Sequence, residues 1–101
     1  MSGWHDVGPA VALPPGQRRC VTVGGKEVAI FNVDGAFYAI DNECSHLGTP
    51  LMDGFVKGCL LTCASHGWEY DLRTGAEQAG EQGVATWVTR VEGGVLQLQL
   101  K

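Results

Sequence analysis

Apolar and polar positions along this chain change places over short distances, and no stretch gives a convincing helical period. Trp4-His5-Asp6-Val7 predicts a short first strand, and Pro9 with Pro14-Pro15-Gly16 makes the next stretch a loop. Arg18 to Val23 alternates enough for a strand, and Gly24-Gly25 is a two-residue hairpin signal. Lys26 to Val33 is apolar and β-branched. Asp34-Gly35 is a second hairpin signal, and Ala36 to Ile40 returns as the next strand of a three-stranded meander. Further on, Cys59-Leu60-Leu61-Thr62 predicts a short apolar strand and Trp68-Glu69-Tyr70-Asp71 its alternating return. Thr74-Gly75 marks a turn, and Ala76 to Gly83, rich in Gly, Glu and Gln, reads as an exposed loop. Thr86 to Val91 and Val95 to Leu100 are two last strands joined through Glu92-Gly93-Gly94; the second sets Val95, Gln97 and Gln99 against Leu96, Leu98 and Leu100. No internal repeat is found.

Composition agrees with an all-β chain. Fifteen glycines in 101 residues are about twice the usual share, which matches many tight turns in one small domain. The net charge of −4 argues against a nucleic-acid partner. No apolar run approaches the ~20 residues of a membrane span. The start lacks a cationic-then-apolar signal segment, and no apolar run follows Arg18-Arg19, so the expected location is cytoplasmic, with no membrane partner.

Four cysteines are present. Cys20 and Cys59 sit in apolar strand-like runs and read as free thiols in or near the core. The other two have histidine neighbours: Cys44-Ser45-His46, then sixteen residues, then Cys63-Ala64-Ser65-His66-Gly67. Each half follows a strand-like segment, and the spacer allows an excursion that brings two loops side by side. Two thiolates and two imidazoles converging on one point make a metal site. A zinc finger usually groups its cysteines in one pair and its histidines in another, whereas here each loop carries one of each. That arrangement suits an object with two unlike ends, such as a two-iron, two-sulfide cluster with both histidines on one iron. The third histidine, His5, has no convergent ligands and reads as a surface residue.

The motif resembles the Rieske iron–sulfur proteins, and most closely the small Rieske-type ferredoxins. Tyr38-Ala39-Ile40 before the first loop, Gly54 after it and Asp71-Leu72-Arg73-Thr74-Gly75 after the second match the same family. The resemblance implies a single domain over residues 1–101, a small antiparallel β-barrel or sandwich from strands near 3–40 and 85–100. A cluster-binding subdomain would be nested at about 42–72. It also implies one [2Fe-2S] cluster, with Cys44 and Cys63 on a buried iron and His46 and His66 on an outer iron that serves as the electron port. With neutral imidazoles such an oxidised cluster is formally uncharged, against −2 for an all-cysteine one, which makes reduction easier.

Flanking residues bear on the potential. High-potential relatives carry an extra cysteine in each loop; Thr49 and Ser65 stand there instead, and Trp68 replaces their serine, so a low-to-middle potential is expected. Tyr70 would raise it if its hydroxyl reaches a cysteine sulfur; otherwise it is a core aromatic. Gly48 and Gly67 either let amide groups reach cluster sulfurs or serve turn geometry alone. Leu47, Pro50 and Trp68 are candidates for an apolar collar around the histidines. Ala64 stands where the family commonly has proline, and no proline follows Pro50, so the Gly80 to Gly83 region is expected to cover the cluster less rigidly.

The implied function is transfer of single electrons from a flavin-containing, NAD(P)H-linked reductase to a terminal oxygenase, through transient contacts near His46, His66 and Trp68. The chain would be a carrier and not an enzyme. Three other readings use the same residues: a Rieske small subunit of a larger reductase such as a nitrite reductase, a zinc-stabilised interaction module, and a Cys–His hydrolase.

Overall fold

Five consecutive residues, Val28 to Asn32, are buried, and their alternation feeds two separate cores. Val28 and Ile30 enter one apolar cluster, while Ala29 and Phe31 enter the other. A strand covered on both faces reads as a continuous apolar run, which is how this stretch stands in the sequence. The computed structural model describes residues 3–42, 50–63, 67–78 and 83–100.

Six strands form the larger sheet: β1 (His5–Pro9), β2 (Arg18–Val23), β3 (Lys26–Val33), β4 (Ala36–Asp41), β8 (Thr86–Glu92) and β9 (Val95–Leu100). The smaller sheet holds β5 (Phe55–Lys57), β6 (Leu60–Thr62) and β7 (Glu69–Asp71). Among the described residues all pairings are antiparallel, in the orders β1-β9-β8-β4-β3-β2 and β5-β6-β7. The larger sheet curls into a nearly closed barrel whose two edges, β1 and β2, flank a cleft lined by Trp4–Val7 and Val21–Gly24. The fold class expected from the sequence, all-β and antiparallel with a nested smaller part, is the one observed. Among the described residues two single 3-10 turns, Ala10–Ala12 and Leu51–Asp53, interrupt the connections.

Turn chemistry sets the hairpins. Gly24-Gly25, Asp34-Gly35 and Gly93-Gly94 all have positive φ at both positions, the geometry whose twist matches the flanking strands. Asp34 is the one non-glycine residue among the described residues that takes it.

The chain leaves the barrel after β4 and returns at β8, which pairs with β4 through Ala39↔Trp87 and Ile40↔Thr86. Everything between is the insertion carrying the small sheet. Leu13, Val23, Val28, Ile30, Ala39, Trp87, Leu96 and Leu98 fill the barrel. Leu51, Leu61, Cys63, Tyr70 and Leu72 pack with Ala29, Phe31 and Ile40 on the other side of β3–β4. The β3–β4 hairpin is therefore a wall shared by the barrel and the insertion.

Two segments depart from the sequence reading. Phe55–Lys57 pairs as a strand, β5, although three residues between Gly54 and Gly58 carry no periodic signal. Ala76 to Gly83 is not simply an exposed loop, because its first residues are paired backbone. Asp71 N–H donates to Ala76 O, Gln78 N–H donates to Glu69 O, and Glu77, buried, bridges Tyr70. The far edge of β7 would otherwise leave those groups without partners. No helix among the described residues is long and apolar enough to cross a membrane.

Candidate metal centre

Of the four expected ligands, Cys63 falls within the described residues; Cys44, His46 and His66 lie outside them. Cys63 stands one residue beyond the end of β6, with 1% of its surface exposed, among Leu61, Tyr70 and Leu72. Its own backbone closes the second loop. Cys63 N–H donates to Trp68 O at 2.7 Å, and Gly67 N–H donates back to Cys63 O at 3.1 Å, with Gly67 at φ 71°. The loop from 63 to 68 is thus clamped at its base whatever its tip holds.

The first loop is clamped at its base too. Asn42, which is buried, leads into it, and Pro50 follows it. Asn42 Oδ1 accepts from Met52 N–H at 2.7 Å, while its backbone N–H donates to Glu27 O at 2.9 Å. Its Nδ2 group reaches Cys20 Sγ and Glu27 Oε1, both at 3.4 Å. Arg18 adds a strut from the barrel: Nη1 donates to Met52 O at 2.9 Å and to Gly54 O at 2.6 Å, and the guanidinium lies 5.4 Å from the Phe31 ring centre. Sequence reading assigned neither Asn42 nor Arg18 to the site. The available signal was only a polar side chain ending an apolar run and a cation opening a strand.

These two bases are adjacent. Leu51 and Cys63 share one core cluster, and Gly54 approaches β6 so closely that a Cβ there would strike the Thr62 carbonyl oxygen. Gly54 was legible from the sequence as part of the motif, and close approach is the physical reason for it.

The donor chemistry fits a metal group held from inside. A thiol buried among apolar side chains suits a thiolate ligand that is compensated by bonded metal charge and not by water. Among the flanking residues, Pro50 is exposed. Trp68 is half-buried and packs against the cluster that contains Cys63, so its ring is neither fully exposed nor fully core. Tyr70 is completely buried in that cluster. Thr49, Ser65, Leu47 and Gly48 lie outside the described residues.

Titratable groups away from the loops are shifted for local reasons. Burial pushes the Cys20 thiol up, reinforced by the Glu27 carboxylate and opposed by the Asn42 amide. The Tyr38 hydroxyl is raised chiefly by its hydrogen bond with Cys59, then by desolvation. Asp71 is held below the usual carboxylate range by hydrogen bonds from the Arg73 side chain, then from the Arg73 backbone N–H. Cys20 and Cys59 are half-buried free thiols beside the core, and His5 is exposed on β1.

A family model for the Rieske [2Fe-2S] domain matches residues 3–90. The chain is 35% identical over 92 residues to the ferredoxin component of the naphthalene 1,2-dioxygenase system of Pseudomonas aeruginosa, covering 89% of this chain and 88% of that one. Its fold superposes on the ferredoxin of carbazole 1,9a-dioxygenase from Nocardioides aromaticivorans IC177 with a TM-score of 0.90 and 28% identity, over 99% of this chain and 100% of that one. It also matches a chain in the complex of reduced oxygenase and oxidized ferredoxin in carbazole 1,9a-dioxygenase. That match has a TM-score of 0.88 at 25% identity and covers 100% of this chain and 98% of the other.

Proposed function

The chain belongs to the Rieske [2Fe-2S] domain family, and from that we propose that it is a ferredoxin component of an oxygenase system, carrying single electrons. Cys44, His46, Cys63 and His66 would hold one [2Fe-2S] cluster, the two thiolates on the inner iron and the two imidazoles on the outer one. When bound, that group supplies a one-electron couple whose potential histidine ligation sets within roughly −150 to +300 mV.

What the chain's own residues contribute follows from their positions. Cys63 is presented from the core at the end of β6, so its donor atom stays out of water. The backbone bonds 63–68 and 67–63 hold the second loop, and Asn42 with Arg18 holds the first. Rigid bases limit rearrangement on electron uptake, which a carrier needs for fast exchange. We read residues 1–101 as one domain with the cluster-binding part at about 42–72. The electron donor is a flavin-containing, NAD(P)H-linked reductase and the acceptor a terminal oxygenase, with contacts near His46, His66 and Trp68. The chain itself is not the catalyst.

One observation carries this reading above the others: a wholly buried cysteine at the mouth of a clamped loop, in a chain matched by the Rieske model over residues 3–90. A zinc-bound module would use the same donors, so the decisive measurement is spectroscopic and analytical. Protein purified without air is expected to be red-brown, to contain two iron and two sulfide per chain, and to give a rhombic electron-spin-resonance signal when reduced. Colourless protein with stoichiometric zinc and no sulfide, even after anaerobic reconstitution, would refute it.

A further inference from the structure

The net charge of −4 is concentrated in the insertion. Residues 42–84 hold six carboxylates (Glu43, Asp53, Glu69, Asp71, Glu77 and Glu81) against Lys57 and Arg73, while the rest of the chain holds five acidic and five basic residues. The insertion therefore carries the whole excess, and the barrel is formally neutral.

The small sheet in that insertion has two unlike faces. Val56, Leu61 and Tyr70 turn inward to the core shared with β3–β4. The register places Phe55, Thr62 and Glu69 in one cross-strand row of the other face, and Lys57, Leu60 and Asp71 in the next. Phe55 has 72% of its surface exposed, the largest side chain among the exposed apolar residues described. Its strand is also the sheet's open edge: β7 is paired on its far side through Glu77 and Gln78, whereas β5 has no ladder partner beyond β6 among the described residues. Phe55 stands opposite Thr62, the residue just before Cys63, so whatever covers the ring lies beside the second ligand loop.

We propose that Phe55 is the apolar anchor of a docking face on the outer side of β5–β7, whose occupant is a redox partner protein presenting an apolar recess ringed by lysine or arginine. This rests on the electron-carrier reading and adds a site to it. Charge selects the occupant. A second copy of the chain would set one acidic insertion against another, and like charges across an interface oppose association. A basic partner gains long-range steering from the insertion's excess of negative charge, to which Glu69 contributes in the same cross-strand row as Phe55, and an exposed aromatic ring with polar neighbours is the usual composition of an interface centre. Lys57, one row further along the edge strand, discourages edge-to-edge pairing with another sheet.

The test uses the reduced, cluster-loaded protein and the oxidised terminal oxygenase of a carbazole 1,9a-dioxygenase system as acceptor, followed by stopped-flow spectroscopy. Phe55→Ser is expected to lower the second-order rate about tenfold or more. The visible spectrum, the midpoint potential and the limiting first-order rate at saturating acceptor should stay unchanged, and Phe55→Leu should recover most of the loss. Salt should slow wild type and variant alike through the screened charges, leaving the ratio between them in place, because burial of a ring is not screened. Equal second-order rates for wild type and Phe55→Ser would overturn the inference while leaving the carrier reading standing. Wild-type protein with an intact cluster that fails to reduce the oxygenase would overturn both. Sedimentation that shows a wild-type dimer and a monomeric Phe55→Ser protein would make this face a contact between copies, and would overturn the proposed occupant.

Discussion

Asn42 Oδ1 accepts a 2.7 Å hydrogen bond from the backbone N–H of Met52, joining the residue that leads into the first loop of the motif to one that follows it. Asn42 is buried, and its amide also donates toward Cys20 Sγ and Glu27 Oε1. Replacing it with Ala takes the partner from the part-buried Met52 N–H, which costs at most the roughly 1–3 kcal/mol of a fully buried donor left unpaired. Asn42→Asp keeps the acceptor for Met52 but places a second carboxylate next to Glu27. Both variants should unfold at lower denaturant concentration than wild type and release iron faster to a chelator. Chelator rates equal to wild type would mean that the bond does not brace the loop.

Arg18 braces the same segment from another direction. One Nη1 reaches the carbonyls of Met52 and Gly54 while the guanidinium sits over Phe31. A lysine ammonium has the charge but not the planar fork, so Arg18→Lys is not a conservative change here. The expected cost of Arg18→Met is about 1–2 kcal/mol, with Arg18→Lys recovering only part of it. Limited proteolysis should show the first cuts within residues 42–58 in both variants, since the strut ties the insertion to the barrel. Cuts that begin in β1 or β9 instead would argue against that role.

Much of the architecture was legible in the sequence. The hairpin dipeptides at 24–25 and 34–35 located the meander, and alternation located β9, where Leu96 and Leu98 are buried while Gln97 and Gln99 are not. Both signals are local: φ at two turn residues and a period of two. β5 escaped because its pairing depends on β6 and on the closeness of Gly54 to Thr62, which no window of three residues records. The paired start of the 76–83 stretch, where Glu77 is buried between exposed Ala76 and Gln78, escaped for a related reason. Glu77 is polar, and its backbone bridges the far edge of β7 at Tyr70, a pairing that no local pattern records. The motif points to Cys44, His46, Cys63 and His66, of which Cys63 alone is among the described residues; of the groups that hold the loop bases, Arg18 is distant in sequence and Asn42, two residues before Cys44, carries no pattern of its own.

Gly75 illustrates a tertiary requirement at a position that reads as an ordinary turn. Its φ is 78°, and an added Cβ would strike the Val84 carbonyl oxygen, while Val84 N–H donates to Gly75 O at 2.9 Å. Gly75→Ala combines left-handed strain of about 1–2 kcal/mol with a backbone clash that must shift the 83–84 segment. A loss of at least about 2 kcal/mol in chemical denaturation is expected, larger than for Ala at the solvent-open Gly24, where only the strain applies. Equal losses at the two positions would mean that the 75–84 contact contributes nothing.

Asp71 gives the acid limb of stability a defined sign. Its carboxyl is depressed in the folded state by hydrogen bonds from Arg73, so its contribution is fully present above the unfolded value of about 3.9 and is lost as pH falls through the lower folded value. Arg73 is mostly exposed, so solvent screens the pair and the effect is modest. Arg73→Gln should raise the Asp71 titration midpoint observed by NMR toward the ordinary carboxylate range. It should also flatten the fall in stability below pH 4. An unchanged midpoint would show that the backbone N–H of Arg73 alone sets the carboxyl's acidity.

Tyr70 tests what the buried environment of Cys63 does to electron affinity. The ring is completely enclosed, on β7 opposite Leu61 and in the same apolar cluster as Cys63. A hydroxyl that donates to a ligand sulfur stabilises the more negative, reduced state, so its removal should lower the midpoint potential. If the bond is worth about 1 kcal/mol more to the reduced state than to the oxidised one, Tyr70→Phe shifts a one-electron couple down by roughly 40 mV. The packing is nearly conserved by the substitution, so thermal stability should change by less than about 1.5 kcal/mol. Protein-film voltammetry of wild type and Tyr70→Phe, with the visible spectrum as a check on the cluster, separates the two possible roles. A potential that does not move, together with a small stability loss, would make Tyr70 a packing residue and leave the electron affinity to the ligands and the backbone amides around them.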